Sequence, residues 1–170
     1  MGVHVHRIEV RFGDCDPAGI VYFPRFFAMF HDAMESWFAA GLGIAYASVV
    51  TGRKLGFPAV HTESDFRRPC ALGDTIGVEL RVTALGRSSI VLGYTVRGAG
   101  GDLRLTGATT CVVMDLDPAS SGFRRAVPIP DDLRVSIEAF MAAEQVSTWP
   151  SGQVGDSGRF AASLLAPASG

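Results

Sequence analysis

A chain of 170 residues, close to half hydrophobic and carrying a formal net charge of −2, suits one soluble domain with a full-sized core. That charge gives no reason to expect nucleic acid or an acidic membrane surface as a partner. The three cysteines, Cys15, Cys70 and Cys111, are odd in number and far apart, with no CxxC or Cys/His spacing, which argues against a disulfide framework and a zinc site. The N-terminus lacks a basic segment followed by an apolar run, and no stretch is long enough to cross a bilayer, so the cytoplasm is the expected location.

In chain order, residues 3–12 read as a strand in which Ile8, Val10 and Phe12 alternate with charged neighbours. Val3 and Val5 are out of phase with them, which predicts a bulge or a change of facing near His6. His4 and His6 share a face; exposure near a terminus accounts for them better than metal binding.

Next comes Phe12-Gly13-Asp14-Cys15-Asp16-Pro17-Ala18-Gly19-Ile20-Val21-Tyr22-Phe23-Pro24, two acids one residue apart, then Pro and Gly, which favour a turn. Such a turn aims a carboxylate at the start of a helix, where unpaired backbone N–H groups gather. A carboxylate beside N–H donors suits attack on a carbonyl carbon. The donors hold the oxygen as negative charge builds, and the acid attacks or activates water. From local pattern alone a helix cap is the commoner use.

Phe23, Phe27, Phe30, Met34, Trp37 and Phe38 then recur at three- and four-residue steps, with Phe26 and Ala33 widening the face. This predicts a long helix opened by Pro24 and stopped by Gly41 and Gly43. The aromatic stripe is core, and only its N-terminal end is pocket. Residues 44–53 suggest a short second helix. Residues 55–68 read as extended, with a kink at Gly56-Phe57-Pro58. Three alternating runs follow, at 75–85 (Ile76, Val78, Leu80, Val82 and Ala84 on one face), 89–98 and 103–113, joined by short turns as an antiparallel meander. A loop rich in Pro and Gly precedes a last helix, capped by Asp131 or Asp132, with Leu133, Ile137, Phe140 and Met141 as its stripe. From Ser147 the composition turns to Ser, Gly, Ala and Pro, which predicts a flexible or loosely packed tail.

The run Gly13-Asp14-Cys15-Asp16-Pro17-Ala18-Gly19-Ile20-Val21 closely resembles the signature of hotdog-fold acyl-CoA thioesterases of the 4-hydroxybenzoyl-CoA thioesterase family. The resemblance implies an α+β hotdog domain over residues 1–146, a five- or six-stranded antiparallel sheet wrapped around a long central helix, with 147–170 as the tail. It implies Asp16 as the catalytic carboxylate and an acyl-CoA substrate, with neither cofactor nor metal. It also implies a homodimer or homotetramer whose active sites lie at the subunit interface. Phe57 and Pro58 align with the part of the family that reaches the acyl group from the partner subunit. The basic cluster that binds the CoA phosphates in the aroyl-CoA branch is reduced here to Arg87, followed by Ser88 and Ser89, with Arg67, Arg68, Arg124 and Arg125 as compensating candidates.

At the helix start, the backbone N–H of Phe23 is the candidate donor to the thioester oxygen. Gly19 permits a tight turn or close approach of substrate, and Tyr22, Phe27 and His31 are candidate substrate contacts. Asp14 fits a local structural role. Cys15 is a poor nucleophile, because flanking carboxylates disfavour its thiolate. Aromatic crowding near Asp16 favours an aromatic acyl group of the benzoyl or hydroxybenzoyl type. An aliphatic acyl-CoA thioesterase, a non-catalytic acyl-CoA-binding hotdog and a dehydratase or hydratase of the same fold are the alternatives.

Overall fold

The computed structural model describes residues 1–144 and 147–150. Its elements are β1 (His4–Glu9), α1 (Arg25–Leu42), β2 (Leu55–Gly56), β3 (Ala59–Phe66), β4 (Thr75–Leu85), β5 (Ser89–Gly98), β6 (Leu103–Val112), β7 (Met114–Asp115) and α2 (Asp131–Ala142). Five strands form one antiparallel sheet in the order β1-β4-β5-β6-β3, and β2 pairs with β7. The sheet wraps α1, the hotdog arrangement.

The apolar period of α1 explains why it lies against the sheet. Phe26, Met29, Phe30, Ala33, Met34, Trp37 and Phe38 are all buried, while Arg25, Asp32 and Glu35 face outward. Each large side chain so buried contributes about 1.5–3 kcal/mol. Phe30 lies flat on Tyr94 of β5, rings 4.2 Å apart and 2° from parallel. Gly107 on the neighbouring strand makes room, since a Cβ there would sit 2.8 Å from the Phe30 ring.

Several elements depart from the sequence-based reading. Strand β1 ends at Glu9, because the chain tightens into a one-turn 3-10 helix over Phe12–Asp14. Phe12 therefore points outward, 85 % exposed, although Val10 is buried as expected. No bulge occurs at His6, as β1 pairs with β4 in unbroken register from His4 to Glu9. Gly41 lies inside α1, where a Cβ would meet the Trp37 indole at 2.5 Å, and the helix is stopped by Gly43 alone, at φ +69°. Residues 48–52 form a π-helical turn. A register shift between Val82 and Ala84 breaks the alternation of β4 and leaves Ala84 exposed. Neither Asp131 nor Asp132 caps α2 with its side chain; Asp132 instead pairs with Arg53 at 2.6 Å. The stripe of α2 is buried at Leu133, Ile137 and Phe140.

The first residues of the expected tail are packed. The Ser147 hydroxyl donates to Glu79 Oε1 at 2.7 Å, and the Trp149 indole donates to the Gly98 carbonyl at 2.8 Å while lying on Gly77. Glu79, on the outer face of β4 and 2 % exposed, also meets Arg81 and Arg97 at 3.2 and 3.3 Å. A bare glycine and a buried carboxylate thus give the segment a seat that composition alone did not reveal. The remainder of the tail lies outside the described residues.

Candidate active site

The signature turn is built in two halves. In the first, the Arg11 N–H donates to Asp14 Oδ2 at 2.9 Å, closing the 3-10 turn, and the Arg25 guanidinium reaches Asp14 Oδ1 at 2.7 Å. Asp14 is buried. Burial pushes its pKa up, but the Arg11 N–H and the Arg25 guanidinium outweigh it and hold the carboxyl below its ordinary value. Asp14 thus ties the start of α1 to the strand before it.

In the second half, Asp16-Pro17-Ala18-Gly19 forms a tight turn. The Gly19 N–H donates to the Asp16 carbonyl at 2.9 Å, and the Asp16 N–H donates to Ile20 at 2.9 Å. Pro and Gly occupy the second and fourth positions, which such a turn favours, and Gly19 takes φ +75°. The Ala18 N–H donates to Asp16 Oδ1 at 2.8 Å. The other carboxylate oxygen has no hydrogen-bond partner among the described residues. A bridge between Cys15 and Val21 holds the hairpin shut, and pairing of Ile20 with Ala71 fixes it to the chain after β3.

Asp16 opens on a first cavity of about 300 Å³ walled by Tyr22, Phe23, Phe26, Phe66, Arg67 and Arg68, with Ile20, Val21, Pro69 and Cys70. At the start of α1, the N–H groups of Tyr22, Arg25, Phe26 and Phe27 all donate to backbone carbonyls, and Pro24 has none. The Phe23 N–H finds no such acceptor among the described residues. It is the unengaged donor of this helix start.

Phe27, His31, Phe57 and Pro58 lie elsewhere, around a second cavity of about 250 Å³ between α1 and the sheet. His31 is half exposed and pairs with Glu35 at 3.1 Å. Phe57, 5 % exposed, packs edge-on against Phe38 at 5.1 Å within its own chain. Arg87, Ser88 and Ser89 sit at the β4–β5 turn, outside both cavity linings. Cys15 is held as the thiol, its pKa raised by burial and by Asp14 and Asp16. Among the described residues no group of three His, Cys, Asp or Glu side chains is arranged to hold a metal. None of their helices is long and apolar enough to cross a membrane.

The pattern of the thioesterase-like superfamily matches residues 10–137. The chain belongs to that superfamily. A 1,4-dihydroxy-2-naphthoyl-CoA hydrolase of Synechococcus elongatus is 43 % identical over 86 residues, 50 % of this chain and 62 % of the relative. The chain thus spans less than two thirds of that relative's length. Among solved structures, a 1,4-dihydroxy-2-naphthoyl-CoA thioesterase from Synechocystis superposes with a TM-score of 0.70 at 27 % identity, covering 80 % of this chain and 96 % of the other. The 4-hydroxybenzoyl-CoA thioesterase of Pseudomonas sp. strain CBS-3 gives 0.70 at 26 % identity, covering 80 % and 99 %. For a thioesterase-like chain, the sequence left one wall of the first cavity unread. Phe66, at the end of edge strand β3, carries no motif, and only its ring, 5.7 Å from Phe26, reveals its place.

Proposed function

We propose that this protein hydrolyses the thioester of an aromatic acyl-CoA, with Asp16 as nucleophile or general base and the Phe23 N–H as donor to the thioester oxygen. The observation that carries the reading is the free carboxylate oxygen of Asp16 in an aromatic-walled cavity at a helix start that retains one unengaged N–H. Two routes balance. In one, an Asp16 oxygen bonds to the carbonyl carbon, the C–S bond breaks to release CoA thiolate, and water cleaves the resulting anhydride. In the other, Asp16 takes a proton from water, the hydroxide adds to the carbon, and the thiolate departs with that proton. Both build charge on the oxygen that the Phe23 N–H would hold. Arg67 and Arg68 place positive charge at the mouth, which suits the polyanionic CoA and offsets the single arginine of the β4–β5 turn.

The same reading makes the site a product of two subunits. Strand β3 is a sheet edge, exposed along nearly its whole length, with Val60 63 % exposed. Unpaired edges of this kind invite pairing. The first cavity lies at its C-terminal end (Phe66) and the second at its N-terminal end (Pro58, Ala59, Thr62). Antiparallel pairing of two β3 strands about a two-fold axis would set the first cavity of one protomer beside the second cavity of the other. Phe57 and Pro58 would then approach the partner's substrate.

Thiol release across aroyl-, phenylacyl- and straight-chain CoA esters, on a preparation whose mass is read by light scattering, tests both parts. Aroyl esters are expected to have the highest kcat/KM, in a dimer or larger. A higher kcat/KM for straight-chain esters, or a fully active single chain, would contradict it.

A further inference from the structure

Arg25 lies in neither cavity lining, yet it is tied to the signature turn by both its side chain and its backbone. It opens α1, whose first turn carries no acidic residue. A cation is disfavoured there, because the N-terminal end of a helix is already the positive end of its dipole. Asp14 offsets this from outside the helix. Its Oδ1 accepts from Arg25 Nε at 3.1 Å and from Nη2 at 2.7 Å. Two nitrogens of the planar fork meet one oxygen, which fixes the direction of the guanidinium as well as its position. The Arg25 side chain is 47 % exposed, so the link contributes less to stability than to geometry.

The main chain closes this link into a loop. The Tyr22 N–H donates to the Asp14 carbonyl at 2.9 Å, and the Arg25 N–H donates to the Tyr22 carbonyl at 2.8 Å. The Tyr22 carbonyl and the Phe23 N–H share one peptide plane and, in a trans peptide, point in opposite directions. Whatever holds that carbonyl therefore sets where the Phe23 N–H points. Arg25 holds it with its backbone and anchors itself to Asp14 with its side chain. Pro24, at φ −66°, stiffens the stretch between. The anchor is two residues from Asp16, so the loop also refers the Phe23 N–H to the carboxylate that shares its cavity.

We propose that Arg25 is a positioning residue: through Asp14 it holds the Tyr22–Phe23 peptide so that the Phe23 N–H meets the thioester oxygen beside Asp16. The inference rests on the thioesterase reading above and assigns the aim of its oxygen donor to a side chain outside both cavities.

The test compares Arg25→Met and Arg25→Lys with the unaltered protein, well below their melting temperatures. Hydroxybenzoyl-CoA is the substrate, and affinity is read with a hydroxyphenacyl-CoA thioether, which cannot be hydrolysed. A donor held off its line weakens the transition state more than the ground state. Arg25→Met should therefore lower kcat by about tenfold, short of the hundredfold or so that outright loss of such a donor costs. Thioether affinity should stay within about twofold. Arg25→Lys, which keeps a donor to Asp14, should recover most of the loss. In protein labelled with 15N at phenylalanine, the Phe23 amide should be a single sharp resonance that broadens or splits in Arg25→Met and sharpens again in Arg25→Lys. Unchanged kcat in Arg25→Met, equal falls in kcat and affinity, no recovery in Arg25→Lys, or an unaltered Phe23 amide would each overturn the proposal while hydrolysis stands. If no ester is hydrolysed but the Phe23 amide responds as expected, the positioning role stands and the thioesterase reading falls. If neither hydrolysis nor an amide response is found, both fall. Should Arg25→Met not fold, Arg25→Gln takes its place under the same criteria.

Discussion

The two halves of the signature turn hold the same residue type in opposite circumstances. Asp14 has one oxygen on the Arg11 N–H and the other on the Arg25 guanidinium, so its charge is fully engaged in joining β1 to α1. Asp16 has one oxygen on the Ala18 N–H, and its side chain lines a cavity. A carboxylate with both oxygens satisfied stabilises a fold. One with an oxygen to spare beside an unengaged N–H retains chemistry. The comparison predicts that the same isosteric change, Asp to Asn, does different damage two residues apart.

The largest effect belongs to Asp16. Asp16→Asn should lower kcat on the best aroyl-CoA by about a thousandfold, within the range for loss of a positioned base or nucleophile. Its Tm should stay within about 2 °C of the unaltered protein, since the amide oxygen still accepts the Ala18 N–H. A large fall in Tm would move Asp16 to the structural half of the comparison.

Next comes Asp14→Asn, whose first effect is on stability. Weakening hydrogen bonds to a charged group at a buried site should cost about 1–3 kcal/mol, near the lower end because Arg25 stays half exposed. Thermal unfolding should fall by several degrees, with turnover at low temperature reduced far less than in Asp16→Asn. The same carboxylate gives a pH signature. Its pKa is lower folded than unfolded, so its stabilisation is complete above the unfolded value and is lost as pH falls through the folded one. Acid unfolding of Asp14→Asn should lack that share of the loss, which a set of melts between neutral and strongly acidic pH would read.

Cys15 gives the smallest effect. It lies between the two acids, its thiol pKa is raised, and Cys15→Ser should change kcat by less than about twofold. A loss like that of Asp16→Asn would make the thiol the nucleophile and dissolve the comparison.

The legible part of this molecule is the part written in short-range patterns. The period of α1, the three-strand meander and the Asp-Pro-Gly turn each follow from local rules, and they bring Asp16 to the helix start. What the sequence hid is where distant segments meet. Phe23 precedes α1 and Phe27 lies in its first turn, yet they line different cavities, one toward each end of β3. Phe57 reads as a kink residue, and only the folded chain shows it wedged on Phe38. Trp149 was lost in a tail of low-information composition because its partner is an absence, the missing side chain of Gly77.

The central claim is that Asp16 carries out chemistry and not support. It is tested most directly by measuring, on the unaltered protein and Asp16→Asn side by side, both thiol release from hydroxybenzoyl-CoA and affinity for the matching thioether. The account predicts turnover reduced by about three decades with affinity kept within a few-fold. Near-normal turnover in Asp16→Asn, or equal losses in turnover and affinity, would contradict it.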